Sequence, residues 1–162
     1  MVVPHVETAA FDALSWHDNT LYGLRAEIGD PDRGTWHSRL LLDIDYILEW
    51  VCATDGRARF QVAPASLVFE DVTDLRLSLD QGDSGCSVAI QLPTIDRIER
   101  ERLSDQKICL DRPYWRWRIC FNQPQGGLIA FGASGFRQSL RVEPALCEEQ
   151  RYPSDRPRPM PW

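Results

Sequence analysis

The sequence is poor in lysine and has no long apolar run. Of its 18 basic residues only Lys107 is a lysine, a bias typical of GC-rich bacterial genomes, and the formal net charge is −6. A phosphate backbone would be repelled by this charge, so we exclude nucleic-acid binding. No stretch approaches the roughly 20 apolar residues that cross a bilayer, and the start of the chain lacks the pattern of a signal peptide. We therefore expect a cytoplasmic protein without membrane spans.

Signatures of metal and redox chemistry are also missing. The chain has 5 cysteines and 3 histidines, and no two cysteines form a C-x-x-C pair. The cysteines are most simply small buried apolar residues. The spacing G-x-x-x-x-G occurs in GGLIAFGASG, but the lysine of a phosphate-binding loop does not follow it. These observations predict neither a cofactor nor a metal site.

The composition is that of one globular domain with a different C-terminal tail. The 162 residues are 43% hydrophobic and 26% charged, which suits a single core. We assign residues 1–147 to one β-rich domain and residues 148–162, EEQRYPSDRPRPMPW, to a Pro-rich tail that we expect to be flexible unless Trp162 docks. From residue 151 onward the tail has a charge of +2, which leaves about −8 on the rest of the chain.

Alternation of apolar and polar residues predicts a mainly β fold. Residues 21–28 alternate with Tyr22 and Ile28 on the apolar face, GDPDRG supplies a turn, and residues from 36 onward return as the second arm of a hairpin. CSVAIQL, YWRWRICF and LIAFGASGFRQSLRV continue the pattern. Residues 7–14 are a short helix or a loop, since Phe11 and Leu14 lie three residues apart. Residues 94–104 are a short helix or a charged excursion, since Ile95 and Ile98 lie at helical spacing. We predict seven to eight antiparallel strands, in a sandwich or a partly open barrel, with one or two short helices.

The stretch RLLLDIDYILEW, residues 39–50, has its own parity. Its apolar residues fall mostly on even positions, from Leu40 to Trp50, whereas Asp43, Asp45 and Glu49 fall on odd ones. Burying the odd face would place three carboxylates in the core at several kcal/mol each, so we expect the even face inside and the acids in water. The tryptophans Trp16, Trp36, Trp50, Trp115 and Trp117 are likewise expected mainly in the core.

Asp43 and Asp45 allow three interpretations. They can be ordinary surface, an acidic patch that faces a partner, or a site for a metal or catalysis. If the strand with Arg116 and Arg118 is a neighbour, these arginines pair with the acids. If it is not, the acidic face is free for a partner.

SWHDN, residues 15–19, places a serine, His17 and Asp18 within a few residues. We reject a catalytic triad, because residues adjacent in an extended chain point apart, and predict a turn that leads into the first long strand. His17 could approach His37 across the hairpin, but two histidines alone supply too few ligands for zinc.

WHDN, LDIDYILEW, VAPASLVFEDVTDL and IAFGASGF together resemble a group of small uncharacterised bacterial proteins, some similar in pattern to the immunity proteins encoded beside secreted toxins. The resemblance covers about the first 140 residues and implies a β-rich protein that works by contact. Our first hypothesis is a non-enzymatic binding protein whose acidic face docks a basic partner protein. The alternatives are a carrier with an aromatic-lined pocket and a metal-assisted hydrolase that uses Asp43, Asp45 and His17 or His37.

Overall fold

The computed structural model describes residues 5–82, 89–104 and 111–162. The described part is mainly β, with ten strands and two short 3-10 helices, Thr8–Ala13 and Pro31–Arg33. In chain order the strands are β1 His5–Glu7, β2 Asn19–Glu27, β3 Arg39–Cys52, β4 Ala58–Glu70, β5 Thr73–Ser78, β6 Thr94–Arg102, β7 Trp115–Gln123, β8 Leu128–Ala133, β9 Gly135–Leu140 and β10 Ala145–Cys147. The predicted strand CSVAIQL begins in residues 83–88, outside the described residues, and residues 89–92 are not in a strand.

All strand pairs are antiparallel and form one continuous open sheet in the order β1-β9-β4-β3-β2-β6-β7-β8-β5, with β10 paired to β4. β2 connects the two halves of this sheet. Its first residues, Asn19 and Thr20, pair with β6, and the rest of the strand pairs with β3. The predicted hairpin between β2 and β3 is confirmed, as is the antiparallel β class.

The two halves of the sheet pack over one core. Phe69 of β4 contacts two aromatic rings of the other half, with ring centroids 5.1 Å from Trp117 and 4.7 Å from Phe131. Near one end Phe11, which follows β1, stacks on Trp16 at 4.9 Å. The interior is therefore filled by aromatic and aliphatic side chains from both halves, as in a sandwich.

The parity of β3 is confirmed in its first half and wrong in its second. Leu40, Leu42 and Ile44 are fully buried. A bulge between Ile47 and Glu49 then shifts the pairing with β4, so that Leu48 is 40% and Trp50 54% exposed. A bulge adds one residue to one strand, and every later side chain changes face.

The helix predicted for residues 94–104 is wrong, because Thr94–Arg102 forms strand β6. Ile95 and Ile98 are both buried although they are three residues apart. Shifts in the pairing with β7 between Ile95 and Arg97 explain this spacing, since a bulge puts residues of odd separation on one face. The other predicted helix, at residues 7–14, is present as the 3-10 helix Thr8–Ala13.

β2 departs from simple alternation as well. Its pairing with β3 shifts between Leu21 and Gly23, so that Leu21 enters the core and Tyr22 lies on the outer face. Ile28 is 84% exposed and Trp36 is 80% exposed, both in the connection to β3. The expectation that Tyr22, Ile28 and Trp36 are core residues is therefore wrong.

Within the described residues no helix has the length and apolar character to cross a bilayer.

Candidate functional site

Asp43 and Asp45 lie on the outer face of β3, as their parity predicts, but they are not in water. Asp43 is 6% exposed and Asp45 is completely buried. Of the three predicted acidic residues only Glu49, beyond the bulge, is exposed. The expectation that Asp43 and Asp45 face solvent is therefore wrong, because another part of the chain covers them.

The C-terminal tail, residues 148–162, provides this cover. It follows β10, which pairs with Phe60, Gln61 and Val62 of β4 and so fixes where the tail begins. Near its end, Ser66 of β4 donates a hydrogen bond to the carbonyl of Pro161 at 3.2 Å. The ring of Trp162 lies over Gly23 so closely that an added Cβ would come within 3.2 Å of it. The tail thus crosses the outer face of β4, β3 and β2.

Arg158 of the tail is held by both aspartates. Its Nη1 is 2.5 Å from Oδ1 of Asp45, and its Nη2 is 2.6 Å from Oδ1 of Asp43. Nη2 also donates to the carbonyl of Ile44 at 3.3 Å. The guanidinium carbon lies 3.9 Å from the centroid of the Tyr22 ring, which is cation–π geometry. We call Asp43, Asp45 and Tyr22 the arginine seat.

Each aspartate of the arginine seat has further partners besides Arg158. Oδ2 of Asp45 accepts hydrogen bonds from the Tyr22 hydroxyl and from the backbone N–H of Tyr152, each at 2.9 Å. Asp43 forms a second ion pair with Arg141, which follows β9 and whose side chain is only 9% exposed. Two buried acids are therefore balanced by two arginines, which is the condition under which buried charges are tolerated.

This environment changes the titration of its members. Burial, the charge of Asp45 and the hydrogen bond to Asp45 raise the pKa of Tyr22 to about 12. For Arg158, burial acts to lower the pKa, but the hydrogen bonds and charges of Asp43 and Asp45 outweigh it and leave the pKa above its ordinary value. Tyr22 is therefore a neutral hydrogen-bond donor and Arg158 a cation at neutral pH.

Arg116 and Arg118 do not pair with the acids of β3, and the alternative, that the acidic face is free for a partner, is wrong. β7, which carries both arginines, lies between β6 and β8 and is not a neighbour of β3. Their side chains are exposed, and their cross-strand positions face Glu101 and Glu99 of β6. The acids of β3 are nevertheless not free. Sequence reasoning missed Arg141 and Arg158, and the one available signal was the positive tail on a negative chain.

The segment with His17 and Asp18 forms a separate polar cluster at the start of β2. His17 Nδ1 is 3.0 Å from Oδ2 of Asp18, and Asp18 also accepts from Asn122 at 2.7 Å and from Gln150 at 3.1 Å. The predicted turn is present, since Asp18 has a positive φ of 63°. His37 follows β2 at its far end, so the two histidines are separated by the length of a nine-residue strand. Among the described residues no group of three or more potential ligands could hold a metal ion.

Two adjoining clefts open between the tail and the strands. One, of about 580 Å³, is lined by Tyr22, Tyr152 and other residues, and the second, of about 600 Å³, reaches Asp18 and Thr94. We call them together the acidic cleft, because the charged residues that line them are Asp18, Glu148, Glu149, Asp155 and Arg151. Four carboxylates against one guanidinium make its lining strongly negative.

Three of these carboxylates are available for contact. Glu148, Glu149 and Asp155 are exposed, and no ion pair within the described ranges uses them. Apolar surface lies beside them, since Leu146 is 50% exposed and Leu92 is 37% exposed. The arrangement suits a segment that carries both positive charge and apolar groups.

The geometry also bears on the two alternative hypotheses. Among the described residues, aromatic side chains of the interior contact one another and occupy space that the internal ligand of a carrier would need. Asp43 and Asp45 contact arginines and a tyrosine, not a histidine, so the site proposed for a metal-assisted hydrolase is not assembled.

Comparison of the chain with protein-family models, with curated proteins and with solved structures finds no match.

Proposed function

We propose that the protein is a non-enzymatic binding protein whose acidic cleft docks a basic segment of a partner protein. The observation that carries this proposal is the lining of the cleft, with four carboxylates and one guanidinium. The net charge of −6 adds a long-range attraction for a basic protein and speeds its encounter. The surface differs from the one that the sequence predicts, because the acids of β3 are already paired within the chain.

The resemblance to immunity proteins adds a class of partner to this proposal, a basic toxin that the contact neutralises. We also propose a cytoplasmic location. Cys52, Cys120 and Cys147 are free thiols in the structure, which suits a reducing compartment. The partner itself is to be found in the native host.

The test compares three full-length forms of the protein as bait in extracts of the native host. These are the wild type, the double variant Glu148→Gln and Glu149→Gln, and Glu49→Gln as a control with an exposed acid outside the cleft. We expect capture of a basic protein at low salt that weakens as salt rises. With the purified pair, two exposed charge pairs at about 0.2–1 kcal/mol each predict that the double variant binds roughly 2- to 30-fold more weakly.

Glu49→Gln should bind as the wild type does, because its charge lies outside the acidic cleft. If Glu49→Gln, which removes one charge, loses about half the binding free energy that the double variant loses, then only the net charge matters and the proposal is refuted. Capture that does not depend on salt concentration, or an affinity that is unchanged in the double variant, would refute the proposal.

A further inference from the structure

The arginine seat has the features of a receptor for a guanidinium group. Two carboxylates each take one terminal nitrogen of Arg158, a backbone carbonyl accepts a further hydrogen bond, and an aromatic ring lies against the plane. A guanidinium group fits this arrangement of acceptors because it is planar and presents several N–H donors in a fixed geometry. An ammonium group is not planar, and its donors have no such fixed arrangement. This geometry therefore favours arginine over lysine as the occupant of the seat.

The arginine seat lies on β-strands, whereas its occupant, Arg158, lies in a segment without regular secondary structure. Asp43 and Asp45 lie on β3 and Tyr22 on β2, two paired strands that fix their spacing. Arg158 lies in a segment without regular secondary structure, in which the backbone hydrogen bond from Arg156 to Pro153 is the kind of contact that a turn makes. The seat is thus preformed by the sheet, and the occupant is delivered by the tail.

The tail does not use all the hydrogen-bonding capacity of this place. The Nε and Nη1 groups of Arg141 and the Nε group of Arg158 are buried and have no hydrogen-bond partner among the residues that the structure describes. Buried donors without partners are costly, so the tail is an imperfect ligand. Arg141, itself nine-tenths buried, holds two donors ready for carbonyl groups of another peptide segment.

Charge balance defines what can replace Arg158. Asp43 and Asp45 together carry −2 and Arg141 contributes +1, so the seat without Arg158 has one uncompensated negative charge. Departure of Arg158 without a replacement therefore loses an ion pair, and one monovalent cation restores the balance. The seat also borders the acidic cleft, because Tyr22 and Tyr152 line that cleft and both donate to Asp45.

We propose that the arginine seat is a binding site for an arginine side chain of the partner protein, and that the chain's own Arg158 fills it in the isolated protein. A basic segment that binds along the acidic cleft, whose lining includes tail residues 148–155, displaces only the end of the tail that carries Arg158 and places its own arginine on Asp43, Asp45 and Tyr22. The identity of the occupant as a partner's arginine rests on the function proposed above. The chemistry of the seat does not.

The experiment empties the seat in the full-length chain with Arg158→Ala and supplies the missing group in solution. The probes are N-acetylarginine amide and, for comparison, N-acetyllysine amide, and the readout is the thermal midpoint against probe concentration. Arg156→Ala is the matched control, because Arg156 is an exposed arginine of the same tail. We expect Arg158→Ala to melt at a lower temperature than the wild type. We also expect arginine amide to raise its midpoint in a saturable way, with about tenfold tighter apparent binding than lysine amide.

The wild type and Arg156→Ala should respond little to either probe, because Arg158 already occupies the seat, and adding Asp45→Asn to Arg158→Ala should abolish the rescue. If Arg158→Ala does not fold, Arg158→Lys keeps the charge and should show the same selective response to arginine amide. An Arg158→Ala variant as stable as the wild type, or one rescued equally by both probes, overturns the proposal.

A second readout separates this proposal from the function proposed above. Removal of the internal competitor should make Arg158→Ala retain the captured partner several-fold more strongly than the wild type. Selective rescue without charge-dependent capture would leave the seat standing and refute the proposed function. Charge-dependent capture without rescue would do the reverse.

Discussion

Replacement of Asp45 by alanine should destabilise the protein more than any change on its exposed surface. Asp45 is completely buried and accepts hydrogen bonds from Arg158, from the Tyr22 hydroxyl and from the Tyr152 backbone. Removing one partner of a buried ion pair costs about 3–5 kcal/mol, because the other charge stays behind. Here Arg158 keeps Asp43, while two further donors lose their acceptor, so we expect a loss of about 4 kcal/mol in the free energy of unfolding.

The expected loss is large enough to measure in two ways. For a domain of this length each kcal/mol shifts the thermal midpoint by roughly 2–4 °C, so Asp45→Ala should melt about 10 °C below the wild type. Urea denaturation, followed by tryptophan fluorescence, should give the free energy directly, since Trp16 and Trp117 are buried in the core.

Glu49→Ala is the matched control, because Glu49 lies on the same strand but is exposed. It should change the stability by no more than about 0.5 kcal/mol. An Asp45→Ala variant no less stable than Glu49→Ala would refute the reasoning that the buried network holds the tail to the sheet. The double variant with Arg158→Ala should lose less than the sum of the two single losses, since both remove the same interaction.

Three further predictions concern the core, a close backbone approach and a tyrosine. Trp117→Ala should lower the free energy of unfolding, measured by urea denaturation, by about 3–5 kcal/mol, because Trp117 is fully buried. Trp36→Ala should lower it by under about 1 kcal/mol, because Trp36 is 80% exposed. Equal losses would contradict the packing of the core. Gly132→Ala should cost about 1–3 kcal/mol by the same measurement, because the added Cβ would lie 2.7 Å from the ring of Tyr114, and an unchanged midpoint would contradict that contact. The pKa of Tyr22 rises from 10.0 to about 12 on folding, so its contribution to stability is complete below pH 10 and is lost as the pH rises toward 12. Tyr22→Phe should therefore lose less stability than the wild type over this alkaline range, and a titration of phenolate absorbance should lack one high-pKa tyrosine in the variant; identical curves would refute this prediction.

The class of the fold could be predicted because alternation reports burial directly. In β3 the run from Leu40 to Tyr46 is apolar on every second residue, and the structure buries those side chains. The run could not reveal the bulge before Glu49, since Leu48 and Trp50 continue the same alternation. A bulge depends on the neighbouring strand, which the local pattern does not contain.

β6 shows the opposite failure. Ile95 and Ile98 have helical spacing, and the charged residues between them fit the polar face of a helix equally well. Pairing with β7 overrides this local preference, because both isoleucines reach the core only in the bulged strand. Spacing of two apolar residues was too short a signal to distinguish the two periods.

For the candidate site, the sequence predicted which residues of the sheet take part but did not predict what covers them. Parity placed Asp43 and Asp45 on the outer face, and the expectation of water there followed only if nothing covered that face. The tail that covers it is polar and rich in proline, a composition that predicts no structure by itself. Its order comes from contacts such as that of Arg158 with Asp45, which join residues 113 positions apart.

This separation has a consequence for the order of events during protein synthesis. The ribosome makes Asp45 more than a hundred residues before it makes Arg158. A nascent chain that assembles β3 and β4 early therefore carries the two carboxylates on the outer face of the sheet without Arg141 or Arg158, the two arginines that neutralise them. Final closure of that face waits for translation of the tail, and premature termination before residue 158 should yield chains that quality-control proteases remove.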